Sequence, residues 1–204
     1  MKLCRFTAAG SADVRVGLIT NGQTLIDLTD AGVHRMKSLL ERADLADELS
    51  RLSAAKLTTH ALDSVRLLTP VESQEVWAAG VTYLRSREAR MEESEFSASA
   101  YDRVYDAERP EIFFKSLPEK VVSPGEEVGI RRDARWNVPE PGQIKRPFAE
   151  LVDYLFRSQT FPSGAVLLTG AGVVPPDSFT LEAHDAVRIT ISGIGTLENP
   201  VTIV

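Results

Sequence analysis

The chain has 204 residues, 43% hydrophobic and 25% charged, enough for one large domain, or one domain with a small companion, and for a substantial core. Its 23 basic and 29 acidic residues leave a formal charge of −6, which argues against a general nucleic-acid binder, because phosphate binding needs a basic surface. Cys4 is the only cysteine, the N-terminus lacks a signal-like apolar run, and no stretch approaches the roughly 18 apolar residues of a membrane helix, so a cytoplasmic protein with neither a disulfide nor a nucleic-acid or membrane partner is expected.

In chain order, residues 1–28 read as strands. Cys4, in Lys2-Leu3-Cys4-Arg5-Phe6, reads as a small buried residue rather than a nucleophile. Val14, Val16, Leu18 and Thr20 alternate with Arg15, Gly17 and Ile19, and Asn21-Gly22 marks a hairpin before 24–28. Leu39, Leu40, Leu45, Leu49 and Leu52 predict one amphipathic helix over about 36–54. Leu67-Leu68-Thr69-Pro70-Val71 leads into a new section. Residues 75–83 read as a buried strand and 84–95 as a charged, helix-favouring stretch. Residues 96–110 suit a loop or short helix, and Ile112-Phe113-Phe114-Lys115 a short buried strand. Ser123-Pro124-Gly125-Glu126 is a turn. Phe148, Leu151, Val152, Leu155 and Phe156 give the sharpest helical spacing in the chain, and Phe161-Pro162-Ser163-Gly164 stops it. Strands follow at 166–170 and 187–191, with an extended piece at 173–176 and a hairpin arm from Gly193. There is no internal repeat. The expected fold class is α+β: a small α+β domain over 1–68, then a larger domain over 69–204.

Glu140 stands between two prolines, a rigid setting for a metal ligand, yet one carboxylate cannot hold a divalent cation against water. Lys115 ends an apolar strand, where its ammonium either meets a substrate carboxylate or reaches solvent. Arg85, Arg87 and Arg90 flank Ser86; they either clamp an acid bidentately or pair with Glu88, Glu92 and Glu93. Ser86 either bonds substrate or caps the following helix. Thr169 before Gly170 is placed to offer its hydroxyl and nearby backbone N–H groups to a carboxylate, though tight turns need glycines anyway. Tyr101 and Tyr105 are either lid residues or ordinary surface aromatics. His34, His60 and His184 read as ordinary surface residues, and Trp77 and Trp136 as core anchors.

Several stretches taken together resemble the fumarylacetoacetate hydrolase family. They are Val76-Trp77-Ala78-Ala79-Gly80-Val81-Thr82-Tyr83, Arg109-Pro110-Glu111-Ile112-Phe113-Phe114-Lys115, Trp136-Asn137-Val138-Pro139-Glu140-Pro141, Leu167-Leu168-Thr169-Gly170-Ala171-Gly172-Val173-Val174-Pro175-Pro176 and Gly193-Ile194-Gly195-Thr196-Leu197. They run in order from about residue 70 to the C-terminus. The resemblance implies a mixed β-roll after the small N-terminal domain, a Mg2+ or Mn2+ site that polarises a 2-oxo acid substrate towards its enolate, and a homodimer. Hydrolytic members carry a His paired with a Glu after the strand end; here Ser86 and Ala89 fall at those places. A hydroxyl without a base activates water poorly. This favours the branch resembling 2-keto-3-deoxy sugar-acid dehydratases over the hydrolases. The site implied has Ser86, Glu88 and Lys115 as catalytic residues, Tyr83, Arg85, Lys115, Thr169 and Gly170 on the substrate, and Glu140 on the metal. After Pro141 the pattern breaks: Gly142 stands where a second Glu belongs, and 143–152 resemble a segment that normally comes much later. The chain reads as though a central block were missing between Pro141 and Gly142. The alternative function is therefore an inert homologue that serves as a binding or dimerisation module.

Overall fold

The computed structural model describes residues 1–80, 82, 105–130, 146–157, 159–170 and 179–204. Two compact units emerge. One comprises Met1–Glu72, Val121–Val128 and Ala186–Pro200, the other Ser73–Lys120, Gly129–Asp185 and Val201–Val204.

In the first unit, β1 (Lys2–Ala8), β2 (Arg15–Ile19), β3 (Thr24–Asp27), β4 (Thr59–Ala61) and β5 (Val65–Leu68) form an antiparallel sheet in the order β4-β3-β2-β1-β5. The 67–68 stretch is thus part of a strand, with Phe6 opposite Leu67. The β2–β3 hairpin turns where the Asn-Gly pair predicts. Asn21 Oδ1 accepts from the N–H groups of Gln23 (3.1 Å) and Thr24 (2.9 Å), the local side-chain bond that suits Asn to turns.

Both sheet faces are packed. Val16, Leu18, Ile26 and Leu28 meet Met36, Leu39 and Leu52 in one cluster, and Phe6, Ile19 and Leu25 form another. The helix predicted over 36–54 is two helices, α1 (Met36–Leu40) and α2 (Leu45–Ala54). The phase explains the break. Leu39 and Leu52 lie 13 residues apart, about 140° out of register on one straight helix at 3.6 residues per turn, yet both are buried in the same cluster. Arg42 N–H bonds Leu39 O and the chain starts again at Asp44, which resets the phase. Glu72 caps α1 from a distance, accepting from the N–H groups of Met36 and Lys37.

Asp27, wholly buried, ends β3. It accepts from Arg15 and from Thr29 N–H at 2.9 Å. His60 is not the surface residue the sequence suggested: β4 lies beside β3, so its ring stacks near Phe6 at 5.5 Å, and Nε2 is buried without a hydrogen-bond partner, 3.7 Å from Asp27 Oδ2. His34 and His184 are exposed. Burial pushes the Cys4 thiol up to about 11, the opposite of what a nucleophile needs.

In the second unit, β6 (Glu75–Gly80), β7 (Glu111–Ser116) and β9 (Ala165–Leu168) form a sheet in the order β7-β6-β9. β6 pairs antiparallel with β7 and parallel with β9. The Ile112-Phe113-Phe114-Lys115 strand exists but is not buried: Phe113 and Phe114 are 39% and 47% exposed, and among the described residues β7 is an outer strand of its sheet. Trp77 anchors this unit edge-to-face between Phe114 and Phe161. α3 (Phe148–Phe156) forms where its spacing predicts and buries Leu151 and Leu155. Pro147 precedes it, and Gly164 (φ 79°) follows in the predicted stop. A further sheet, whose β10 and most of whose β11 belong to the first unit, has the order β10-β11-β8, built from β8 (Val128–Ile130), β10 (Ala186–Ile191) and β11 (Gly195–Ile203). The predicted terminal hairpin sets Ile191 opposite Gly195. The mix of sheets and few helices is the α+β class expected.

Candidate active site

Two parallel strands point their C-terminal ends the same way. β6 and β9 run in register from Glu75 opposite Ala165 to Ala78 opposite Leu168. Ends of this kind gather the loops that follow into one place, a common seat for ligands. Just past them, the Thr82 hydroxyl donates to the Thr169 carbonyl at 2.7 Å. Thr82 is 1% exposed, so this bond ties the two ends together out of water. Gly170 follows with φ 119°, a conformation that favours glycine. A side chain there would strain the turn that presents Thr169.

The start of β7 lies at the same end, since Gly80 pairs with Glu111. A Cβ on Gly80 would meet Glu111 Oε2 at 2.2 Å, so Gly80 leaves room for that carboxylate. A cleft of about 250 Å3 opens alongside, lined by Ala107, Arg109, Pro110, Glu111 and Ile112. Its backbone is held by Arg146, which is 8% exposed. The Arg146 guanidinium donates to the Ala107 and Glu108 carbonyls and, at 2.7 Å, to Glu150 in the first turn of α3. Hydroxyl, backbone and carboxylate groups thus converge at one end of a small sheet.

Of the residues singled out from the sequence, Thr169 and Gly170 sit at this end. Lys115 lies on β7, two strands from β9 and level with Val76 and Trp77. It stands exposed near the start of β6, beside the Trp77–Phe114 pair. Its ammonium lies 6.0 Å from the centroid of the Phe113 ring. Tyr83, Arg85, Ser86, Glu88 and Glu140 fall outside the described residues, as do Arg87, Arg90, Tyr101 and Trp136. Among the described residues, no three of His, Cys, Asp or Glu come together as metal donors.

Sequence reasoning passed over Thr82, Glu111 and Arg146 as site residues. Thr82 had a signal: it is the hydroxyl that follows an otherwise apolar strand. Arg146 had none, because its role is a tertiary clamp.

A family profile described as Fumarylacetoacetate (FAA) hydrolase C-terminal matches residues 139–202. The probable 2-keto-3-deoxyxylonate dehydratase of Haloferax volcanii is 32% identical over 270 aligned positions, covering 89% of this chain and 93% of the relative. The 2-dehydro-3-deoxy-D-arabinonate dehydratase of Saccharolobus solfataricus is 25% identical over 270 positions, covering 90% and 91%. A solved 2-keto-3-deoxy-D-arabinonate dehydratase, complexed with magnesium and 2,5-dioxopentanoate, superposes with a TM-score of 0.71 at 22% identity over 100% of this chain and 99% of its own. The Haloferax match uses 89% of 204 residues, about 182, so about 88 of its 270 positions have no counterpart in this chain. The same arithmetic for the second relative, 90% of 204 against 270, leaves about 86.

Proposed function

Because this chain belongs to the fumarylacetoacetate hydrolase family, we propose that it acts on a small 2-oxo acid, and that its reaction is dehydration of a 2-keto-3-deoxy sugar acid. The observation that carries this reading is the match to two dehydratases across nine-tenths of both partners. The joined ends of β6 and β9 support it by offering a built place for the acid.

Loss of water removes a proton from the carbon beside the keto group and a hydroxyl from the next carbon. The acid's carboxylate needs donors, and the turn at Thr169-Gly170 with Tyr83 and Arg85 supplies them in this reading. Arg85 suits the task because a guanidinium grips a carboxylate with two parallel bonds. Ser86 and Glu88 take the proton transfers. Thr82 is a positioning residue: its bond to the Thr169 carbonyl holds the turn in place. Lys115, exposed on β7, is a further candidate for the acid's carboxylate.

A magnesium or manganese ion is the cofactor the family implies. The described residues do not fit one, since no cluster of three donors occurs among them. Glu140 is the ligand the sequence offers, and a single carboxylate holds magnesium only together with waters and substrate oxygens. The aligned positions without a counterpart favour a second reading, the inert homologue that binds an acid or a second copy.

The test is incubation with 2-keto-3-deoxy-D-arabinonate, with and without Mg2+ or Mn2+, followed by mass spectrometry. A product lighter by one water supports the dehydratase. Unchanged substrate under every condition defeats it and leaves the binding module.

A further inference from the structure

The first unit carries a charged cluster on one face of its five-stranded sheet. Side chains two residues apart on a strand share a face, so the register fixes the members. Gly17 is opposite Asp27, and Leu25 is opposite His60. Arg15 on β2, Asp27 on β3 and His60 on β4 therefore stand on the same face of three neighbouring strands. Asp27 is wholly buried and accepts from Arg15 and from Thr29 N–H. Its Oδ2 lies 3.7 Å from His60 Nε2, beyond hydrogen-bonding distance. That nitrogen is closed off from water and bonds nothing among the described residues. Buried polar atoms are seldom left so.

The charges around the ring do not balance. Asp30, in the turn after β3, is 3.8 Å from Arg15 and accepts from Thr58 N–H at 3.3 Å. Hydrogen bonding from the Thr58 side chain holds its carboxyl below the usual carboxylate range, so it keeps its charge in mild acid. One guanidinium thus stands beside two carboxylates. Cys4 shares the face, opposite Gly17, but burial pushes its thiol up to about 11 and keeps it neutral. Asp63, just after β4, is exposed to water. β1 offers the histidine the Phe6 ring at 5.5 Å. The helices pack on the opposite face, against Val16, Leu18, Ile26 and Leu28. A proton on His60 brings the cluster to neutrality.

β4 has three residues and is, among the described residues, an edge of the sheet. Beside its ladder, Asp27 N–H bonds Thr58 O and Leu62 N–H bonds Gln23 O, both at 2.8 Å. Histidine is the side chain whose charge ordinarily changes between about pH 5 and 8. From the register, the unbonded nitrogen and the surplus carboxylate, we infer that His60 is a proton-operated catch: a proton taken up by its ring draws Nε2–H onto Asp27 and fastens the edge strand β4 to β3. The side chain is 21% exposed, so protons can reach the ring. The folded chain holds a carboxylate beside the ring and the unfolded chain does not. The added stability is therefore present in mild acid and is lost as pH rises through the histidine range. All of these groups belong to the first unit, so the catch stands whether or not the chain is a dehydratase.

The experiment is amide hydrogen exchange of the full chain by NMR at about pH 8 and about pH 5.5, each rate divided into the unstructured rate at that pH. The Asp27 and Leu62 amides, which tie β4 to β3, are expected to gain about tenfold in protection in acid. His60→Phe keeps an aromatic ring against Phe6 but takes up no proton, and should gain none. Asp30→Asn removes the surplus carboxylate and should cut the gain to about threefold. The ring resonances of His60 should move over the same pH window as the protection. Equal gains in wild type and His60→Phe overturn the catch, because the protons then act elsewhere. So does protection that falls in the wild type relative to His60→Phe, since burial of the charge would then outweigh the carboxylates. A ring that titrates while both amides stay unchanged overturns it as well.

Discussion

Replacing Thr82 with Val removes one hydroxyl and keeps the shape. In the wild-type chain that hydroxyl is 1% exposed and donates at 2.7 Å to the Thr169 carbonyl. Val leaves the carbonyl without its donor. Stranding a buried partner costs about 1–3 kcal/mol. Thr169 is only half-buried, so water recovers part of that, and about 1–1.5 kcal/mol is expected. For a chain of this length this is a fall of about 3–5 °C in melting temperature. Thr82→Ser is the control. It keeps the donor and loses a methyl group, which costs about 1 kcal/mol of burial. Calorimetry should therefore rank the two variants close together. Substrate affinity should separate them. If the bond positions the Thr169-Gly170 turn for a 2-oxo acid, Thr82→Val weakens KM or Kd about tenfold, equivalent to about 1.4 kcal/mol, and Thr82→Ser stays near wild type. Equal affinity for all three proteins would refute the positioning role, as would equal damage from both variants.

Asp27→Asn should destabilise the first unit by about 2–3 kcal/mol in urea titration. It breaks a pair whose carboxylate is wholly buried, and partial exposure of Arg15 keeps the loss below the 3–5 kcal/mol of fully buried pairs. Leu151→Ala should cost about 2–5 kcal/mol and Val152→Ala under about 1 kcal/mol, because the first side chain is buried and the second is not; equal losses in denaturant melts would misplace the faces of α3. Cys4 should resist thiol reagents at pH 8 until the protein unfolds, since burial raises its thiol from 9.0 to about 11. The unfolded thiol loses its proton first, so stability attributable to Cys4 is present below pH 9.0 and declines as pH rises towards 11. A thermal midpoint unchanged across that window relative to Cys4→Ala would contradict it.

Much of this fold was legible where local chemistry dictates it. Asn21-Gly22 had to turn, and the i, i+3, i+4 spacing of 148–156 had to make a helix. The break between α1 and α2 was readable too, had the phase of Leu39 against Leu52 been counted. The exposure of β7 was not. Phe113 and Phe114 look like core residues in any window, and only the sheet order, which leaves β7 outside, decides otherwise. His60 shows the converse: its charged and turn-rich surroundings hid a neighbour, Asp27, far away in sequence. At the site, Thr169 and Gly170 could be read from their motif, while the Thr82 contact joins residues 87 positions apart and belongs to the fold.

Amide hydrogen exchange with and without 2-keto-3-deoxy-D-arabinonate tests the placement of the site most directly. Slower exchange at Thr82 and over Thr169-Gly170 is the predicted result. Protection at the Lys115 end of the sheet alone, or none anywhere, would contradict it.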